Sequence, residues 1–139
     1  MEDYYENFKS ETMEEKNNSK KRILVVDDEV NITRLVKISL ESNDIEVIES
    51  AGGQESIMLA VKNKPSLIIL DLMMPRHSGY DILDMLKTHE ETIDIPVLIL
   101  TAKDTQIDRE KCLKSGAEGF ISKPFDLDDL RKTVKSFLI

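Results

Sequence analysis

Residues 23–29 read Ile-Leu-Val-Val-Asp-Asp-Glu (ILVVDDE), four apolar positions followed at once by three acidic ones. The apolar run is rich in β-branched side chains and does not alternate with polar residues, which predicts a strand buried on both faces. Where that strand leaves the core, Asp27, Asp28 and Glu29 are crowded together. Like charges so placed repel, and burial strengthens the repulsion. Something outside the sequence is expected to neutralise them.

Working outward, comparable apolar runs recur at Ile45–Ile48, Leu67–Leu70, Val97–Leu100 and Gly119–Ile121. Helix-like segments lie between them. Ile32, Leu35, Val36 and Leu40 share one helical face, as do Leu127, Leu130, Val134, Phe137 and Leu138. Two further helices are expected around Ser56–Lys62 and Tyr80–Lys87, and a weakly amphipathic fourth around Gln106–Ser115. Five strands alternating with five helices predict an α/β fold with a doubly wound parallel sheet covered on both faces. Ligands of such sheets bind beyond the carboxyl ends of the strands. Residues 1–21 mix charges with Asn and Ser and lack apolar periodicity, so a flexible acidic N-terminal tail is expected there, with the folded domain over 22–139.

Bulk properties narrow the function classes. A chain of 139 residues suits one domain with a real core. The net charge of −8 argues against direct nucleic-acid binding and against an anionic membrane surface, and favours protein partners. The single cysteine, Cys112, permits no internal disulfide, which suits a reducing, cytoplasmic setting. No apolar run approaches membrane-span length, and the polar N-terminus does not resemble a secretory signal.

The ends of the strands carry the chemistry. Asp27, Asp28 and Glu29 follow the first strand, Asp71 the third, Thr101 the fourth, and Lys123 with Pro124 the fifth; the second ends in VIESAGG without a comparable group. Each residue alone has a plainer reading: Asp as a helix cap or turn residue, Thr as a β-prone side chain, Lys as a solvated loop charge. Their occurrence in order, each at its own strand end, outweighs those readings. Clustered carboxylates are hard oxygen ligands suited to magnesium (Mg²⁺), which would relieve the repulsion. A carboxylate is also a nucleophile toward phosphorus, and phosphoryl transfer asks mainly for positioning and charge neutralisation.

The stretches ILVVDDE, LIILDLMMPRHSGYDIL, VLILTAK and GAEGFISKPF resemble the receiver domain of two-component response regulators, over essentially Arg22–Ile139. The resemblance implies a flavodoxin-like sheet of strand order 2-1-3-4-5. It implies that Asp71 accepts a phosphoryl group from a sensor histidine kinase or a histidine phosphotransfer protein. It further implies that Asp28, Asp71 and the Met73 backbone carbonyl bind Mg²⁺, with Asp27 acting through water. Thr101 and Lys123 would hold the phosphoryl oxygens, Thr101 and Phe120 would form the switch, and the Lys123–Pro124 bond would be cis. By the same resemblance Met73 and Lys103 flank the acceptor and tune how fast the phosphate is lost.

A haloacid-dehalogenase-type phosphatase combines a similar set, but usually places a second Asp two residues after the nucleophile. Met73 stands there and cannot shuttle a proton, so an enzyme of that kind is not expected. Nor does a Gly-rich phosphate loop follow the first strand. His77 and His89 read as surface residues rather than phosphotransfer groups, and Cys112 as a small packed side chain. The output is expected to run through a downstream protein or an output domain outside this chain.

Overall fold

A computed structural model describes residues 20–75 and 78–139. Five strands, β1 (Lys21–Val26), β2 (Ile45–Ser50), β3 (Leu67–Leu70), β4 (Val97–Thr101) and β5 (Gly119–Ser122), alternate with five helices. These are α1 (Val30–Leu40), α2 (Gln54–Asn63), α3 (Gly79–Thr88), α4 (Gln106–Lys114) and α5 (Leu127–Leu138). All strand pairs are parallel and the order is β2-β1-β3-β4-β5. This is the expected flavodoxin-like arrangement. The expected N-terminal tail lies outside the described residues except at its end, where Lys21 already pairs with Ile45 as the first residue of β1. His77 also lies outside them.

The unalternating strands are explained by two separate cores. Leu24, Val26, Ile68, Leu70, Val97 and Ile99 point to one face, where they meet Ala60 of α2, Ile82, Leu83 and Leu86 of α3, and Cys112 of α4. Ile23, Val25, Leu67, Ile69, Leu98 and Leu100 point to the other, against Val36 and Leu40 of α1 and Leu130 and Val134 of α5. Successive side chains of a strand alternate faces, so a strand covered on both sides needs an apolar residue at every position. Each such aliphatic side chain contributes about 1.5–3 kcal/mol by leaving water.

α4 is held differently. Only Asp108 and Cys112 of this helix are buried. Its start is fixed by a capping box: the Asp108 N–H donates to the Thr105 hydroxyl, and the Thr105 N–H donates to the Asp108 carboxylate. Its end turns at Gly116, φ +104°, where the Gly116 and Ala117 N–H groups donate to the carbonyls of Leu113 and Cys112. Local hydrogen bonding at both ends compensates for a narrow apolar stripe.

Candidate functional site

The sheet ladder runs one residue beyond the strands at their carboxyl ends, and that extension sets the site. The Asp27 N–H donates to the Ser50 carbonyl at 3.0 Å, and the Asp71 N–H to the Val26 carbonyl at 3.0 Å. On the far side the Lys123 N–H donates to the Thr101 carbonyl at 2.8 Å. Asp27, Asp71, Thr101 and Lys123 are therefore fixed by backbone pairing rather than by loop packing.

Lys123 is the electrostatic centre. Its ammonium donates to Asp27 Oδ2 at 2.7 Å and to Asp71 Oδ2 at 3.2 Å, with Glu29 Oε1 at 3.5 Å. Both aspartates are buried. Burial alone would lower the Lys123 pKa, but the hydrogen bond and charge of Asp27, and then the charge of Asp71, hold it above the usual lysine value. Burial pushes Asp27 up; the Lys123 hydrogen bond and the Glu29 N–H oppose that, and the Asp71 charge adds to it. One ammonium thus faces several carboxylates and does not fully satisfy them.

The remaining oxygens are ordered locally. Asp27 Oδ1 accepts the Glu29 N–H at 2.9 Å, and Asp71 Oδ1 accepts the Met73 N–H at 3.1 Å. Asp27, Asp28 and Asp71 each present a carboxylate oxygen within 4.8 Å of the other two. The cavity above them, about 730 Å³, is lined by Asp28, Glu29, Asp71, Met73, Lys103 and Lys123 among others. Asp27 is not part of this lining; it lines a smaller neighbouring cavity with Thr33, Arg34 and Glu49.

Thr101 is fully buried at the end of β4, and its Oγ1 accepts the Lys103 N–H at 3.1 Å. It sits beneath the cavity rather than in its wall. Phe120 on β5 is beside Ile99 in register and packs half-buried against the α2–α4 core. The Lys123–Pro124 peptide is cis. His89 closes α3, where its Nδ1 accepts the Glu91 N–H, away from the carboxylates.

Several partners had no signal in the sequence. The Arg109 guanidinium lies 4.7 Å from the Phe120 ring centroid and donates to Ser122 Oγ at 2.9 Å. The Tyr80 hydroxyl donates to Asp108 Oδ1 at 2.6 Å, across 28 residues of chain. Gly79 packs so tightly that a Cβ there would lie 2.2 Å from the Asp71 carbonyl oxygen. Only the Thr105-x-x-Asp108 spacing carried a local hint, as a capping pattern.

Comparison with known proteins agrees with this fold. The family model described as the response regulator receiver domain matches residues 23–135. The DNA-binding dual master transcriptional regulator RpaA of Synechocystis sp. is 39% identical over 117 residues, covering 84% of this chain and 48% of its own length. The alkaline phosphatase synthesis transcriptional regulatory protein PhoP of Bacillus subtilis is 37% identical over 118 residues, covering 85% of this chain and 48% of its own. The chain thus spans about half the length of the curated relatives it matches. Among solved structures, chemotaxis protein CheY4 of Vibrio cholerae superimposes with a TM-score of 0.79 at 28% identity, over 85% of this chain and 98% of that one.

Proposed function

The chain belongs to the response regulator receiver domain family, and from that premise we propose that it is the phospho-accepting element of a two-component phosphorelay, with Asp71 as the acceptor. The supporting observation is the convergence of Lys123 on Asp27 and Asp71, at 2.7 and 3.2 Å, over a cavity that Asp28 also lines. An Asp71 carboxylate oxygen attacks the phosphorus of a phosphohistidine. The P–N bond breaks, the imidazole nitrogen leaves with the electron pair, and an acyl phosphate forms on Asp71. The donor is a sensor histidine kinase or a histidine phosphotransfer protein in the cytoplasm.

The donor set fits Mg²⁺: three carboxylates offer hard oxygens close together, and burial holds the Asp27 pKa up despite the Lys123 hydrogen bond. Asp28, Asp71 and the Met73 carbonyl would hold the ion, with Asp27 reaching it through water. Bound there, Mg²⁺ supplies positive charge to the phosphoryl oxygens. The protein's own residues do the rest. Lys123 exchanges its contact with Asp71 Oδ2 for a phosphoryl oxygen, and the Thr101 hydroxyl turns from the Lys103 N–H to donate to another. Met73 offers no hydrogen bond to position an attacking water. Lys103 can donate to the phosphoryl group, so both favour a long-lived mark.

Output passes through the α4–β5–α5 surface to a downstream protein or an output domain, with no direct nucleic-acid binding by this chain. Among the described residues no helix is long and apolar enough to cross a membrane. Acetyl phosphate with Mg²⁺ discriminates the reading from a phosphatase. A single stoichiometric, hydroxylamine-labile mark supports the receiver, whereas continuous phosphate release from monoesters would support an enzyme instead.

A further inference from the structure

Lys103 lines the same cavity as Asp71, and its ammonium sits beside Asp108 and Tyr80. It lies 4.0 Å from Asp108 Oδ1 and 5.8 Å from the Tyr80 ring centroid. Asp108 is a fixed anchor for it: 8% exposed, locked into the α4 capping box, and bonded to the Tyr80 hydroxyl at 2.6 Å. Those hydrogen bonds, with the Lys103 charge in addition, hold the Asp108 carboxyl below the usual carboxylate range. The Lys111 ammonium, 4.0 Å from the Tyr80 centroid, occupies the ring as well. Tyr80 itself lines the cavity at the start of α3. The side chain that could steady a phosphoryl group on Asp71 is thus held by a carboxylate on the next helix.

We propose that Asp108, supported by Tyr80, is a positioning residue that competes with the phosphoryl group for the Lys103 ammonium and so sets the lifetime of the phosphate on Asp71. This rests on the reading of Asp71 as the phosphoacceptor. A phosphoryl group that wins Lys103 is stabilised and shielded from water. A lysine retained by Asp108 leaves the acyl phosphate more open to hydrolysis. Lys103 is about half exposed, so the competition is between weak contacts and is easily tipped.

The test uses Asp108→Asn, which keeps one acceptor oxygen for the Thr105 N–H of the capping box, turns an amide N–H toward the Tyr80 hydroxyl oxygen, and removes the charge that holds Lys103. After acetyl phosphate loading in Mg²⁺, the half-life of the mark on Asp71 should lengthen about two- to fivefold, the range a half-exposed ion pair supports. In a Lys103→Met background the same substitution should change nothing. A general loosening of α4 would act in both backgrounds. Carbon-13 NMR of the Lys103 ε-methylene in the unmodified protein reads the contact without any phosphate. Asp108→Asn should move that resonance toward the position of a free lysine. An unmoved resonance, an unchanged or shortened half-life, or equal lengthening in the Lys103→Met background would each overturn the proposal. Failure of every variant to take phosphate at Asp71 would instead sink the phosphoacceptor reading, while the NMR shift still decides the contact.

Discussion

Asp27 and Asp28 are neighbours in sequence with unequal surroundings. Asp27 is buried, with one oxygen on Lys123 and the other on the Glu29 N–H. Asp28 is half-buried and lines the cavity. A carboxylate already committed to two donors has less to offer a cation. Asp28→Ala should therefore weaken Mg²⁺ affinity strongly, by tenfold or roughly 1.4 kcal/mol at least, and Asp27→Ala should weaken it less. Isothermal titration of both variants against wild type checks the order. Equal affinity in wild type and Asp28→Ala would refute the proposed ligand. The question raised by ILVVDDE has an answer within the chain as well: Lys123, far along the sequence, supplies the first neutralising charge. The acidic cluster was legible in the sequence because it interrupts an apolar run. Its lysine was legible only as a residue at another strand end, since no local pattern marks a contact across 96 residues.

At the scale of elements, the start of α3 packs directly on the chain leaving β3. A Cβ on Gly79 would lie 2.2 Å from the Asp71 carbonyl oxygen and 2.5 Å from the Leu72 Cα. Those are backbone atoms, so no rotamer change relieves the clash. Gly79→Ala should cost about 1–3 kcal/mol, as overpacking does, and should slow phosphorylation by displacing Asp71. Urea unfolding followed by acetyl phosphate loading measures both; wild-type values in each would contradict the packing described. The bridge from α3 to α4 makes a pH-dependent prediction. Burial, and then the hydrogen bond and charge of Asp108, raise the Tyr80 hydroxyl pKa well above its ordinary value. Above about pH 10 an unfolded tyrosine ionises while the folded Tyr80 stays protonated. The folded state then binds more protons than the unfolded one, and stability falls as pH rises. Tyr80→Phe should be less stable than wild type at neutral pH, with the difference shrinking above pH 10. A constant difference across that range would show that Tyr80 is not so coupled. α4 itself shows where sequence reading thins out: its only buried side chains are Asp108 and Cys112, one charged and one small, and what holds it is end chemistry.

For the whole molecule, the parallel sheet and its two-sided core followed from runs that do not alternate and from strict strand–helix alternation, whereas the strand order β2-β1-β3-β4-β5 was expected only from the resemblance to receiver domains. What did not follow was how the site connects to the far surface. Arg109 over Phe120, its bond to Ser122, and Tyr80 with Asp108 join elements distant in sequence, and such pairings are set by tertiary packing. Lys21 and Arg22 lie inside β1 despite their charge, because an edge of the ladder with Ile45 and Glu46 accepts them and Glu46 pairs with Arg22. Under the proposed function, switching is a population shift between arrangements of the same fold, in which Thr101 would leave the Lys103 N–H for the phosphoryl group and Phe120 would move inward from beneath Arg109. A fluorine label on Phe120 should show a shifted resonance on adding beryllofluoride and Mg²⁺. A single unmoved resonance would mean that the ring is only core. All of this depends on where the phosphate goes, and peptide mapping by mass spectrometry after acetyl phosphate and Mg²⁺ measures that directly. The expected result is one phosphate on the peptide containing Asp71 and none on Asp71→Asn; a phosphate on any other residue, or undiminished labelling of Asp71→Asn, would contradict the assignment.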